Sequence, residues 1–272
     1  MILYPNAKIN LGLHVVEKRA DGYHNIETVF YPVGWNDILE VLPDESKNTG
    51  VDFSSGGIPI PGAVEENLCV RAYNLISKDY PMPAVKIHLH KMIPIGAGLG
   101  GGSSDAAFFI RALNELFELN LAWGELHHYA KQLGADCSFF ITNKPVFAEG
   151  KGDQFESINI SLKGYFILIA YPNFHVGTGE AYAGVTPQKR AASLEEIIST
   201  PVDQWKDVLK NDFEKSVFIK FPEIAELKKK MYDLGAIYSS MSGSGSAVYG
   251  LFSNEIDFSG KFADSKIWSG LL

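Results

Sequence analysis

The segment Pro94-Ile95-Gly96-Ala97-Gly98-Leu99-Gly100-Gly101-Gly102-Ser103-Ser104 constrains this chain more than any other. It follows a strict alternation, Val85, Ile87 and Leu89 against Lys86, His88 and His90, which reads as a strand buried on one face. It precedes a run with Ala107, Ile110 and Leu113 at helical spacing, which reads as a helix to about Leu116 with Ser103 or Ser104 as its cap. Glycine lets a backbone come close to an anion and lets successive N–H groups point the same way. The helix start offers its positive dipole end to the same anion. Strand, glycine loop, serines and helix in this order have the physics of a phosphate cradle. The alternative is a flexible connecting loop, which does not account for that order.

Two better-known phosphate loops are excluded. A Walker A loop ends in Gly-Lys-Ser/Thr, whereas Gly102 is followed directly by Ser103. Gly96-x-Gly98-x-x-Gly101 formally matches a dinucleotide fingerprint. That fingerprint leads through its helix to a second strand ending in Asp or Glu. Here Asn120-Leu-Ala-Trp123 and another helix follow instead.

Elsewhere Ile9, Leu11, Leu13 and Val15 alternate with Lys8, Asn10, Gly12 and His14 in a first strand. A turn-rich stretch, Arg19 to His24, joins it to a second strand around Ile26 to Val33. Residues 43–66 read as loops around a short strand near Val51, and Asn67 as the cap of a helix through about Ser77. A helix from Gly124 to Leu133 closes at Gly134 and delivers Asp136. Residues 164–171 read as a buried strand, 172–188 as loop, and 194–199 and 204–216 as helices. The helix Pro222 to Leu234 carries an apolar stripe of Ile224, Leu227, Met231 and Leu234. Ala236 to Met241 and Ala247 to Phe252 read as strands joined by the small-residue turn Ser242 to Ser246. Helices and strands mix without βαβ alternation, which gives an α+β fold.

The 272 residues suffice for one large domain or two modest ones, divided near residue 157. A net charge of -8 without a basic stripe argues against nucleic acid as a partner. Two cysteines, Cys69 and Cys137, make no disulfide framework and no zinc spacing. His88 and His90 share a strand face but lack a third metal ligand. The opening Met1 to Asn6 has no basic start followed by an apolar run, and no apolar run spans a bilayer. The expectation is a soluble cytoplasmic protein without a membrane partner.

Pro-x-x-x-Gly-Leu-Gly-Gly-Gly-Ser-Ser-Asp resembles the ATP-binding signature of the GHMP kinase superfamily. The extra glycines and Asp105 are similar to its diphosphocytidyl-methylerythritol kinase branch, as are Ala7-Lys-Ile-Asn-Leu11, Arg19-Ala-Asp-Gly-Tyr-His24 and Leu133-Gly-Ala-Asp136. The resemblance implies a two-domain fold, with residues 1–157 as an ATP-binding domain like domain 2 of ribosomal protein S5 and 158–272 as a ferredoxin-like domain. It implies ATP as co-substrate, held along Pro94 to Ser104; Mg2+ is expected because ATP phosphates carry it, with Ser104 as a contact open to it. The acceptor it implies is a methylerythritol linked to cytidine diphosphate, phosphorylated on its 2-hydroxyl in the non-mevalonate isoprenoid route. The protein would be a monomer or homodimer. Homoserine or mevalonate kinase, or a silent nucleotide or sugar sensor on the same fold, are the alternatives.

Transfer of a γ-phosphoryl group to an alcohol needs charge neutralisation, alignment and a proton acceptor. Read from the residues alone, Asp136 either caps the next turn or is functional, and Lys8 is an ordinary solvated strand lysine. The resemblance makes Lys8 and Asp136 the catalytic pair, with Asn10 ordering the site. It also implies Tyr23 and His24 as base-binding residues, Tyr182 as the opposing aromatic, and Thr178 as a substrate contact. One departure stands out: the branch often has Val-Pro after the aspartate, where this chain has Cys137-Ser138. Proline would stiffen that turn. Cys137 reads as a small buried filler.

Overall fold

The computed structural model describes residues 1–190 and 192–272. Its first strands are β1 (Ile2–Leu3), β2 (Asn6–Lys18), β3 (His24–Asn36), β4 (Ile38–Pro43) and β5 (Val51–Gly57). Helix α1 (Leu68–Ile76), β6 (Val85–Lys91), α2 (Gly101–Leu116), α3 (Trp123–Leu133) and α4 (Cys137–Thr142) follow. Then come β7 (Val146–Glu149), β8 (Gln154–Ser157), β9 (Phe166–Tyr171), α5 (Thr178–Ala183) and α6 (Leu194–Ile198). The chain ends with α7 (Glu214–Lys220), α8 (Pro222–Asp233), β10 (Tyr238–Met241), β11 (Val248–Phe252) and β12 (Lys266–Leu271).

Two compact units are built from interleaved segments. One comprises residues 1–7, 35–95 and 100–144; the other 8–34, 96–99 and 145–272. The junction expected near 157 lies inside the second.

The first unit is a four-stranded sheet, β1-β4-β6-β5, in which only β5 runs parallel to its neighbour. Leu39 pairs with Leu89 and Val41 with Ile87, all buried, so the alternation of β6 marks its core face. Helices α1 and α2 pack on each other and on this sheet. Asn67 caps α1, its side chain accepting from the Cys69 amide at 2.9 Å. Ala107, Ile110 and Leu113 form the buried stripe of α2.

The second unit holds two sheets, β2-β3-β7-β8 and the antiparallel β10-β11-β9-β12. Helix α8 covers β10 and β11 and inserts Ile224, Leu227 and Met231. Pro222 opens it, where the missing N–H costs nothing. Leu13, Val15 and Ile26 join the same core as Phe166, Leu168, Val248 and Phe252. The polar face of β2 is buried too: Lys8 is 3% exposed, so it is no solvated strand lysine.

Several expectations are corrected. Neither Ser103 nor Ser104 caps α2, because Gly100, with φ at 72°, is the cap and both serines lie in the first turn. Residues 172–188 are not all loop. Helix α5 escapes notice because it is six residues long and buries only Ala181. The helix expected over 204–216 begins only at Glu214. Ahead of it, Leu13 donates its amide to the Lys210 carbonyl and the Asp212 amide bonds back to Leu13, so 210–212 pairs with β2. The Asn211 side chain donates to the carbonyls of Met241 and Gly243 at 2.8 Å each. Strand β4 was hidden by apolar residues on both faces, Leu39 and Val41 against Ile38 and Leu42. Strands β7 and β8, four residues each, are too short to show a period, and β12 is a half-buried edge strand.

Candidate active site

In the second unit, β2 presents Lys8 and Asn10. The Lys8 ammonium donates to Asn10 Oδ1 at 2.6 Å and lies 4.7 Å from the centre of the Phe30 ring. Asn10 Nδ2 donates to Thr28 Oγ1 at 2.9 Å, and the Tyr249 hydroxyl donates to the Asn10 carbonyl at 2.8 Å. These bonds fix the asparagine and, through it, the direction of the ammonium. The Lys8 amide donates to the Leu99 carbonyl at 2.9 Å, which ties the glycine loop to this strand.

The same loop is held from the C-terminal side of the chain. Ser242 Oγ donates to the Gly98 carbonyl at 2.8 Å, and the Ala247 amide to the Ala97 carbonyl at 3.1 Å. His175 Nδ1 meets the Gly96 carbonyl at 2.6 Å. Gly98 has φ of +78°, and a Cβ there would lie 2.0 Å from the Ser242 carbonyl oxygen. Only glycine fits.

In the first unit, the loop runs into α2. The first-turn amides of a helix have no intrahelical partners, so those of α2 are suited to an anion. The buried Ser104 hydroxyl has no hydrogen-bond partner among the described residues. An oxygen with unused bonding capacity at that end of the helix suits a phosphate or the metal ion that accompanies one. The Ser103 hydroxyl lies near the thiol of Cys137, the first residue of α4, and favours its charged form. Burial pushes that thiol up to about 11, so Cys137 is an inert filler. Helix α4 packs on α2 with Cys137 near Ser103, which brings Asp136, the residue before α4, toward the first turn of α2. The Asp136 side chain makes no capping bond to α4, so the capping alternative does not hold. Ser138, one of the two residues that depart from the resembled pattern, bonds His127 Nδ1 on α3 at 2.7 Å, and His127 Nε2 reaches Thr142 at 3.1 Å. Hydrogen bonds thus hold the turn that proline would have stiffened.

A cavity of ≈580 Å³ in the second unit is lined by Lys18, Tyr23, His24, Lys151, Thr178 and Tyr182. His24 and Tyr182 stack at 4.7 Å with their planes 16° apart. Lys151 lies 4.8 Å from the Tyr23 ring centre. Thr178 Oγ1 is 3.4 Å from Ser244 Oγ. The four residues expected to bind the acceptor therefore share one cavity, and an aromatic stack is the geometry a planar base exploits. Lys18, Lys151 and His175 were not foreseen. Lysines in turns and a histidine after a strand carry no local signal of what they will face.

Beneath the start of α2, Lys91 donates to Asp105 Oδ2 at 2.7 Å and also to Asp37. Burial pushes the Asp105 carboxyl up to about 7; Lys91 pulls against that and Asp37 adds to it. Among the described residues no group of three or more His, Cys, Asp or Glu is placed to hold a metal ion. His88 is instead bonded to Ser54 at 2.9 Å. No described helix is long and apolar enough to cross a membrane.

Comparison with known proteins bears on both units. The profile described as "GHMP kinases N terminal domain" matches residues 67–144, and "GHMP kinases C terminal" matches 181–258. The chain is 54% identical over 255 residues to 4-diphosphocytidyl-2-C-methyl-D-erythritol kinase of Bacteroides thetaiotaomicron, covering 94% of this chain and 93% of the relative. It is 48% identical over 274 residues to that of Parabacteroides distasonis, covering both in full. Among solved structures, a 4-(cytidine 5'-diphospho)-2C-methyl-D-erythritol kinase superposes with a TM-score of 0.82 at 32% identity, over 99% of this chain and 98% of that one. A mevalonate kinase of L. major in complex with R-mevalonate gives a TM-score of 0.71 at 17% identity over 99% of this chain and 94% of that one, a likeness of fold alone. The chain belongs to the GHMP kinases, and within them to the 4-diphosphocytidyl-2-C-methyl-D-erythritol kinase family.

Proposed function

We propose that this ATP-dependent kinase transfers the γ-phosphoryl group to the 2-hydroxyl of 4-diphosphocytidyl-2-C-methyl-D-erythritol, with Asp136 taking the hydroxyl proton and Lys8 offsetting the developing charge. The observation that carries the reading is the packing of α4 on α2 with Cys137 near Ser103, which supports a place for Asp136 close to the helix end that would hold the triphosphate. Residues Pro94 to Ser104 hold the nucleotide, and Ser104 contributes to Mg2+ binding, whose chemistry is to neutralise phosphate charge. The cytosine ring stacks against the His24–Tyr182 pair with Tyr23 beside it, and Thr178 contacts the acceptor. The names of the relatives at 48–54% identity favour this acceptor over homoserine or mevalonate, whose kinases share only the fold at 16–17% identity. Retention of both Lys8 and Asp136 counts against a silent sensor.

A phosphotransfer assay with a panel of acceptors tests the reading. ADP release is expected with the cytidylated tetritol and not with mevalonate, homoserine or galactose. Turnover of any of those three at a comparable rate would overturn it. Asp136→Asn should lower kcat by about 10²–10⁴ with little change in KM, as for loss of a general base.

A further inference from the structure

We propose that Asp37, Lys91 and Asp105 form a positioning cluster that fixes the chain entering and leaving the glycine-rich loop at the spacing a triphosphate needs, so that the cluster governs nucleotide affinity and not acceptor affinity. This rests on the reading of Pro94 to Ser104 as the phosphate cradle.

All three side chains are buried: Asp37 at 0% exposure, Lys91 at 2% and Asp105 at 3%. Asp37 Oδ1 accepts from two consecutive amides, Met92 at 2.6 Å and Ile93 at 2.8 Å, where β6 ends and the chain turns toward the loop. The other oxygen of Asp37 accepts from Lys91, which reaches on to Asp105 in the second turn of α2. One ammonium thus joins the strand before the loop to the helix after it. The fit is close: a Cβ on Gly101, the first residue of α2, would lie 2.8 Å from Lys91 Nζ and 2.9 Å from Ile93 Cγ2. Gly101 is glycine because the ammonium is packed against it.

Stability alone does not explain the cluster. Burying three ionisable groups costs desolvation that their attraction only partly offsets, and apolar side chains of similar volume commonly do as well. A charged cluster does fix geometry, because each bond has a direction as well as a length. It also need not repel a polyphosphate. The Lys91 ammonium, bonded to both carboxylates, offsets part of their charge.

The test is steady-state kinetics with ATP and acceptor titrated separately, on Lys91→Met, Asp105→Leu and Asp105→Asn. Lys91→Met and Asp105→Leu should raise the ATP KM about tenfold or more, since displacements near 1 Å cost on that scale. The acceptor KM should stay within about twofold, and Asp105→Asn, which copies the shape of the side chain, should keep the ATP KM within about threefold. A cluster that only stabilised the fold would lower the active fraction, and so the apparent kcat, with both KM values in place. That result, or an acceptor KM rising with the ATP KM, overturns the inference. Should Lys91→Met not fold, the Asp105 pair answers the same question, because Lys91 keeps Asp37 as its partner. Gly98→Ala separates the two readings. If it binds ATP normally, the cradle itself is wrong; if it loses ATP while the cluster variants keep it, only the cluster's role falls.

Discussion

A methyl group at position 98 would sit 2.0 Å from the Ser242 carbonyl oxygen, in a backbone conformation that side chains rarely adopt. Gly98→Ala must therefore move either the loop or the turn that holds it. The ATP KM should rise by about 10²-fold, measured with the acceptor saturating; an unchanged value would show that the loop does not approach the nucleotide. At Asp136 the supporting bond is Ser138 to His127. Ser138→Ala should lower kcat about three- to tenfold without raising the ATP KM. Ser138→Pro, which stiffens the same turn covalently, should keep kcat near normal. Equal activity in all three proteins would mean that the turn needs neither device. These are single-atom effects, and the sequence displayed only part of them. Gly98 was legible because a glycine-rich loop is a local feature. The partner of Ser138 was not, because His127 lies a helix away.

Helix α8 shows what an element can reveal before it is folded. Three members of its stripe, Ile224, Leu227 and Met231, are buried as the spacing predicts, with Ile224 and Met231 fully enclosed, while Leu234 is half-buried just past the helix end. Ile224→Ala should cost about 2–5 kcal/mol in denaturant unfolding; a cost well below 1 kcal/mol would contradict the packing. Segment 204–216 shows the opposite. Its helical look is overridden at 210–212 by pairing with β2 and by the bonds of Asn211 to the 241–243 turn. Short elements such as α4 and α5 had no period to display, yet α4 follows Asp136 and α5 carries Thr178 and Tyr182. The side chains proposed to be functional sit on or beside brief helices, where local pattern is weakest.

Across the whole molecule, two buried groups act oppositely on stability as pH changes. His14 is fully buried, and burial lowers it to about 4, with Arg190 lowering it further and Asp212 raising it. The unfolded chain binds that proton more readily, so the His14 contribution is present above about 6.5 and is lost as pH falls toward 4. Asp105, pushed up to about 7, contributes most below its ordinary 3.8 and loses that contribution as pH rises through 7. The two are separable by difference: wild type minus His14→Leu, measured between pH 4 and 7, should show stability rising with pH, and a flat difference would remove His14 as the cause. The interleaved units carry a further expectation. A fragment of residues 158–272 keeps β9 to β12 and α5 to α8 but lacks Leu13, Val15 and Ile26 from their shared core. It should unfold at lower denaturant than the full chain and bind a hydrophobic dye; full stability would mean that the core closes without β2 and β3.

By itself the sequence determined the glycine-rich loop, the strand–loop–helix order around it, the stripes of α2 and α8, the α+β class and the family. Each is written in neighbouring residues, because backbone freedom at glycine and side-chain period along an element are local properties. Only the tertiary structure decided that Lys8 is buried against Asn10, that His24 stacks on Tyr182, and that Lys91 joins Asp37 to Asp105. Asp37 and Lys91 stand 54 positions apart. Which distant side chains meet depends on which strand pairs with which, and that choice is made by the burial of the whole core at once.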